Sequence, residues 1–108
     1  MIDWAHVRSL KADMGEAFDE VVEVFMQEVE EALARLDAST DAPAKAAEMH
    51  FLKGAALNLG FSTFAALCAE GEQRASAGDG GAVDAAAVRA LYADSRAAFL
   101  DGLHKRAA

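Results

Sequence analysis

Residues 49–60 of the 108-residue chain read MHFLKGAALNLG, and this stretch combines a core stripe with an outward-facing patch. A helix turns about 100° per residue, which gathers five of its apolar side chains on one side. They are Met49, Leu52, Ala55, Ala56 and Leu59. His50 points roughly 150° away from the centre of that stripe by the same geometry. The stretch therefore predicts an amphipathic helix that buries one face and directs His50 outward.

Apolar residues recur at the same 3–4 spacing on both sides of this stretch. Helices are predicted at about residues 3–11, 16–37, 42–59, 62–77 and 83–105. Gly60 is expected to end the third helix in the left-handed conformation, and Ser62 to cap the fourth. Frequent alanine and a single proline favour helix over strand. We predict an all-α fold, an antiparallel up-down four-helix bundle with a short additional N-terminal helix, in a single domain over residues 1–108.

Composition excludes several classes of function. The net charge is −8, and no basic cluster is present, so nucleic acid is not an expected partner. No apolar run is long enough to cross a bilayer, and the N-terminus lacks the basic start and apolar run of a secretory signal. Cys68 is the single cysteine, which fits a reducing compartment. These features predict a cytoplasmic protein that does not contact membranes.

The face of the helix that carries His50 has a distinctive set of neighbours. Lys53, Gly54 and Leu57 follow at i+3, i+4 and i+7, so they share that face. An exposed imidazole is a nucleophile near neutral pH, and an ammonium one turn away can offset the charge of a phosphoryl group. A glycine in a helix interior lowers helix stability by about 1 kcal/mol relative to alanine. With no side chain at this position, a partner's active site can approach the ring closely. If His50 is phosphorylated, we expect Leu57 and Ala46 to form an apolar rim for a docking partner.

A lone exposed histidine on a helix usually has no special role, and a lone lysine is usually solvated surface. Gly54 alone could mark a close helix crossing. The combination of all three on one face, off the core stripe, is the informative feature. His6, His104 and Cys68 have no partners at metal-ligand or nucleophile spacing, and no metal site is expected.

The pattern His-x-Leu-Lys-Gly, followed by Leu59-Gly60, resembles the histidine-containing phosphotransfer (Hpt) domain family. A second pattern, from Phe64 through Leu67 and Cys68 to Glu72, is also similar to that family. The resemblance implies a four-helix bundle whose exposed histidine exchanges a phosphoryl group with a receiver-domain aspartate.

Carried over residue by residue, the resemblance makes His50 the phosphorylation site. It gives Lys53 a role in assisting the phosphoryl group, and Gly54 a role in permitting close approach. Glu72 falls near a position where relatives often carry Glu or Gln, and it is assigned to the docking surface. Two interpretations of its side chain stay open: it makes a supporting hydrogen bond, or it is a plain surface acid. Gly71 stands where a leucine is common, which predicts a weakened helix or a gap in the bundle.

The expected function is that of a phosphorelay intermediate, a phosphoryl carrier without its own ATP site. Its partners would be response-regulator receiver domains, a hybrid sensor histidine kinase, or both, and the carrier is expected to be a monomer. No cofactor is expected on this chain, because the receiver would hold Mg²⁺. Two alternatives stay open. One is an Hpt-like module that binds a receiver or kinase without phosphotransfer, and the other is the phosphate-accepting domain of a chemotaxis-type kinase.

Overall fold

The fold of the chain is all-α. A computed structural model describes residues 1–107, and no strand occurs among them. Two short 3-10 turns, Gly15–Ala17 and Gly80–Ala82, precede the second and the fifth helix. The five α-helices are α1 (Trp4–Met14), α2 (Phe18–Ala38), α3 (Ala42–Leu59), α4 (Ser62–Ser76) and α5 (Ala85–Ala107). The sequence-based prediction of an all-helical fold is confirmed.

The ends of α3 follow directly from local sequence. Asp41 caps the N-terminus, because its side chain accepts a hydrogen bond from the backbone N–H of Ala44 at 2.8 Å. At the other end, Gly60 adopts a φ of 79°, a left-handed conformation that favours glycine. The predicted bounds of α3 and the predicted conformation of Gly60 are confirmed.

Three other helix starts and caps differ from the prediction. The second helix begins at Phe18, because the residues just before it form a 3-10 turn. The fifth begins at Ala85, because the side chain of Asp84 caps its N-terminus by accepting a hydrogen bond from the backbone N–H of Ala87 at 3.1 Å. The prediction that Ser62 caps α4 is wrong. Its hydroxyl donates to the carbonyl of Met1 at 3.1 Å, and Phe61 occupies the cap position without a side-chain hydrogen bond.

The core lies between α2, α3, α4 and α5. The most extensive contact is between α3 and α4, followed by the contact between α2 and α3. The predicted stripe of α3 is buried in full. The largest side chains with almost no exposed area are Phe61, Phe64, Phe99, Met49, Leu52 and Leu59. This packing fixes the rotation of α3 about its own axis, and so decides which residues of α3 face outward.

Gly71 is buried where α4 meets α3. A Cβ atom at this position would lie 2.7 Å from Cε of Met49, so the Met49 side chain already occupies the space. The expected gap is therefore filled on the side that faces Met49. The absence of a side chain at Gly71 allows α3 and α4 to pack closely, and Glu72 follows directly after it.

The helix α1 is fastened to the turn that ends α3. The backbone N–H of Asp3 donates to the carbonyl of Gly60 at 2.7 Å, and Nε2 of His6 lies 2.8 Å from the carbonyl oxygen of Asn58. The ring of Trp4 stacks on Phe99 with centroids 5.9 Å apart. These contacts hold α1 close to one end of the His50 helix.

Candidate functional site

His50 lies in α3 on the side that faces away from the core. Its neighbours Met49 and Leu52 are fully buried, which leaves the intervening residues of the turn on the outer surface. The side chain of His50 is 70% exposed. A partner molecule can therefore reach the imidazole without any rearrangement of the bundle.

Glu72 on α4 makes hydrogen bonds to both polar side chains of this face. Its Oε2 lies 2.8 Å from Nδ1 of His50, and its Oε1 accepts a hydrogen bond from Nζ of Lys53 at 2.6 Å. A carboxylate accepts and does not donate, so the proton between His50 and Glu72 belongs to Nδ1. The neutral ring then carries its free lone pair on Nε2, the nitrogen farther from the backbone.

The environment of Glu72 keeps its carboxyl group ionised. The hydrogen bond from Lys53 lowers the pKa of Glu72 below its ordinary value, and the hydrogen bond from His50 lowers it further. Partial burial acts in the opposite direction but is the smaller effect overall. The carboxylate therefore remains a hydrogen-bond acceptor for both neighbours at neutral pH.

Gly54 leaves open space one turn after His50. A Cβ atom built on Gly54 would have no atom of the protein within 4 Å, apart from its own helix backbone and chain neighbours. Packing within the chain therefore does not require glycine at this position. Glycine lowers the stability of a helix interior, but at this position it keeps the surface beside His50 accessible.

A shallow cleft of about 280 Å³ lies beside His50, between α2 and α3. Besides His50, the side chains that line it come from both helices: Phe25, Glu28, Phe51, Ala55 and Asn58, with Gly54 between them. Phe51 is 40% exposed, and the guanidinium of Arg35 lies over its ring, 5.3 Å from the centroid. Leu57, one turn farther along α3, is 55% exposed. Exposed apolar surface therefore borders the histidine.

The six site residues predicted from sequence come from two helices, five from α3 and one from α4. Four of them share the outer face of α3: His50, Lys53, Gly54 and Leu57. Ala46 lies one turn before His50 and is half-buried against the core. Glu72 comes from α4 and reaches the same face through its two hydrogen bonds.

The sequence left open a supporting hydrogen bond from Glu72 but did not identify His50 and Lys53 as its partners, and it did not predict most of the cleft beside the ring. The exposure of Phe51 could have been predicted, because it is a large apolar residue that lies off the core stripe of α3. Nothing in the sequence marks Glu28 and Asn58 as cleft residues, since each is an ordinary polar residue on a helix surface. The contact between Glu72 and His50 depends on how α3 and α4 are rotated relative to each other, which local patterns do not encode.

The remaining reactive side chains do not form a second centre among residues 1–107. Burial raises the pKa of the Cys68 thiol to about 12, which leaves it unreactive. His6 is engaged with the Asn58 carbonyl. No three His, Cys, Asp or Glu side chains of this part of the chain come together in a way that could hold a metal ion. No helix in the same range combines the length and hydropathy needed to cross a membrane.

A comparison with known families agrees with this geometry. Residues 20–98 match the family model of the Hpt domain. The chain belongs to the Hpt domain family. All six predicted site residues, and the whole of α3 and α4, lie within the matched range. No curated protein and no solved structure matched the chain significantly. Hpt domains are helical bundles that take part in histidine phosphotransfer in phosphorelays, where they interact with receiver domains and kinases.

Proposed function

We propose that this Hpt domain is a phosphoryl carrier of a two-component phosphorelay. His50 accepts a phosphoryl group from the aspartate of one receiver domain and passes it to the aspartate of another. The observation that carries the proposal is the hydrogen bond between Nδ1 of His50 and the carboxylate of Glu72 at 2.8 Å. It gives an exposed histidine a defined tautomer, which an ordinary surface histidine lacks.

The proposed transfer is a direct displacement at phosphorus. The lone pair of Nε2 attacks, an N–P bond forms, and the bond between phosphorus and the aspartyl oxygen breaks, which regenerates the receiver's carboxylate. The proton on Nδ1 stays in place, so the phosphorylated ring carries positive charge. The Glu72 carboxylate stabilises that charge through the same hydrogen bond. The reverse displacement delivers the group to the next receiver by the same steps.

Lys53 and Gly54 have supporting roles in this proposal. Lys53 lies one turn after His50, and its ammonium is held by Glu72 at 2.6 Å, where it can offset the negative charge of the phosphoryl group. The open space at Gly54 lets the receiver's acidic pocket approach the ring. Ala46 and Leu57 border the docking surface, and the cleft lined by Phe25 and Phe51 extends it toward α2.

The proposed carrier has no kinase activity of its own. Positioning and charge neutralisation supply most of the catalysis in phosphoryl transfer, and Mg²⁺ would be held by the receiver and not by this chain. We propose receivers, a hybrid sensor histidine kinase, or both as partners of a monomeric carrier. We also propose that residues 1–108 form a single domain, with α2 to α5 arranged as an antiparallel up-down bundle and α1 as the additional N-terminal helix. The cytoplasmic location stays a prediction from the sequence.

The test is phosphoryl transfer from a radiolabelled, phosphorylated receiver domain in the presence of Mg²⁺. Wild type should acquire label that is labile in acid and stable in base, while His50→Gln should acquire none. Receiver binding, measured by calorimetry on the same two proteins, should be retained in the variant. If the receiver binds and neither protein takes up label, the chain is a binding module and the carrier role of His50 is wrong.

A further inference from the structure

A groove separates α2 from α5 on a part of the surface that the His50 site does not use. The two helices contact each other far less extensively than α3 and α4 do. Two adjoining clefts, of about 530 and 420 Å³, lie along their junction and share Glu30 and Arg96. None of the residues that line them lines the cleft beside His50. The groove is therefore a separate surface.

The edge of the groove formed by α2 is acidic. It carries Asp19, Glu23, Gln27 and Glu30, all exposed, at intervals of four, four and three residues. This spacing places them in one row along the helix, which extends about 16 Å at 1.5 Å per residue. Within residues 1–107, none of the three acids forms an ion pair, and Glu30 accepts a hydrogen bond from the hydroxyl of Tyr92 at 3.1 Å.

The opposite edge and the floor of the larger cleft are apolar. Leu100 and Leu103 of α5 form the edge, and Leu100 is 39% exposed. Val22 and Met26 of α2 line the floor. Arg96 is the single basic residue among the described residues that line this cleft. The larger cleft thus presents leucines on one side, and on the other side carboxylates that form no ion pair with any residue that the structure describes.

We propose that this groove is a second docking surface, which binds an amphipathic helix of another protein that carries basic side chains along one edge of its apolar stripe. The apolar stripe would pack against the leucines of α5, and the basic edge would lie along the carboxylates of α2. The acidic row spans about three helical turns, which suits a helix of ordinary length. Because the groove and the His50 cleft share no residue, the helix can stay bound while a receiver exchanges phosphate at His50.

The probe for this surface is a short synthetic helix of leucine, lysine and alanine, with leucines at i, i+3, i+4 and i+7 and lysines along one adjoining edge. Titrated into the ¹⁵N-labelled full chain, it should shift backbone resonances around Met26 and Leu103. The variant Glu23→Lys should weaken binding roughly ten-fold or more, because it reverses a charge in the middle of the acidic row. A matched peptide with glutamate in place of lysine should not bind.

The control variant is Asp94→Lys, which makes the same charge reversal at an exposed residue of α5 that lines neither cleft. It should leave peptide affinity within about two-fold of wild type. Equal weakening by Asp94→Lys and Glu23→Lys, or resonance shifts spread over the whole acidic surface, would show charge attraction without a docking site and overturn the proposal. Transfer of phosphate to His50 should proceed at an unchanged rate with the peptide bound; inhibition by the peptide would overturn simultaneous occupancy.

Discussion

Glu72 follows His50 by 22 residues and lies on the next helix, yet its Oε2 is 2.8 Å from Nδ1 of His50. Its other oxygen binds Lys53. One carboxylate therefore orients the proposed nucleophile and holds the nearest ammonium at the same time. The two bonds make Glu72 a positioning residue of the proposed site, and they identify the partners of a supporting hydrogen bond that the sequence left open.

The substitution Glu72→Gln should slow phosphoryl transfer to His50. The amide keeps the shape of the side chain but loses the charge that stabilises the phosphorylated ring and holds Lys53. Charge-assisted hydrogen bonds are about twice as strong as neutral ones, so we expect a decrease of roughly ten-fold in the transfer rate. Rapid-quench measurements with a phosphorylated receiver would give this rate.

The control for that experiment is Glu70→Gln on the same helix. Glu70 is exposed, binds Arg74 at 2.8 Å, and makes no hydrogen bond to His50 or Lys53. The Glu70→Gln protein should accept the phosphoryl group on His50 at the wild-type rate. Equal rates for Glu72→Gln and wild type would remove Glu72 from the mechanism.

The acid sensitivity of the fold should depend partly on the same carboxyl group. The pKa of Glu72 is lowered in the folded protein, so the unfolded chain binds a proton at this site more readily. The stabilisation from its hydrogen bonds is therefore complete above the ordinary pKa of 4.5 and is lost as the pH falls through the lowered value. Urea unfolding at a series of pH values below about 5 should show a shallower loss of stability for Glu72→Gln than for wild type. Parallel curves for the two proteins would contradict this prediction.

Substitutions at Gly54 should separate stability from function. Gly54→Ala should raise the free energy of unfolding by about 0.5–1 kcal/mol, because the added methyl group meets no other atom and alanine is the better helix former. Gly54→Leu should fold equally well but slow transfer from a receiver by roughly 100-fold, since it holds the partner away from the ring. Denaturant unfolding and transfer kinetics measure the two effects.

Phosphorylation of Gly54→Leu by phosphoramidate provides the matched control. This small donor needs no docking surface, so His50 should react with it at the wild-type rate. A loss of both reactions would mean that the leucine disturbs His50 itself and not the approach of a partner.

The sequence predicted the features that depend on one helix at a time. The bounds of α3, the left-handed Gly60 and the buried stripe that begins at Met49 all follow from periodicity and capping. The exposure of His50 follows from the same periodicity. The partners of the Glu72 carboxylate could not be predicted, because they depend on the relative rotation of α3 and α4. That rotation is set by packing between side chains such as Met49 and the backbone at Gly71.

The attachment of α1 should depend on a glycine of α5 that the sequence did not single out. A Cβ atom at Gly102 would overlap the ring of Trp4, which is rigid and already stacked on Phe99. Gly102→Ala should therefore displace Trp4 and lower the free energy of unfolding by about 1–3 kcal/mol. Trp4 is the single tryptophan, so a red shift of its emission would report the displacement directly.

Gly81→Ala is the matched control, because the nearest atom to an added Cβ at Gly81 is a side-chain oxygen of Asp79 at 3.8 Å, an ordinary contact. Its emission spectrum and stability should match those of wild type. A Gly102→Ala protein with unchanged emission would show that α1 can repack around the methyl group.

An insertion or deletion in the turn at Gly60 would rotate α4 relative to α3, which a substitution would not do. Only Gly60 and Phe61 separate α3 from α4. One inserted residue would rotate α4 by about 100° relative to α3, so that either its apolar face leaves the core or Glu72 moves away from His50. The connection between α4 and α5 comes after Glu72, so an insertion there leaves the pair intact. Natural relatives that keep this carboxylate should therefore vary in length between Ser76 and Ala85, and not between Leu59 and Ser62.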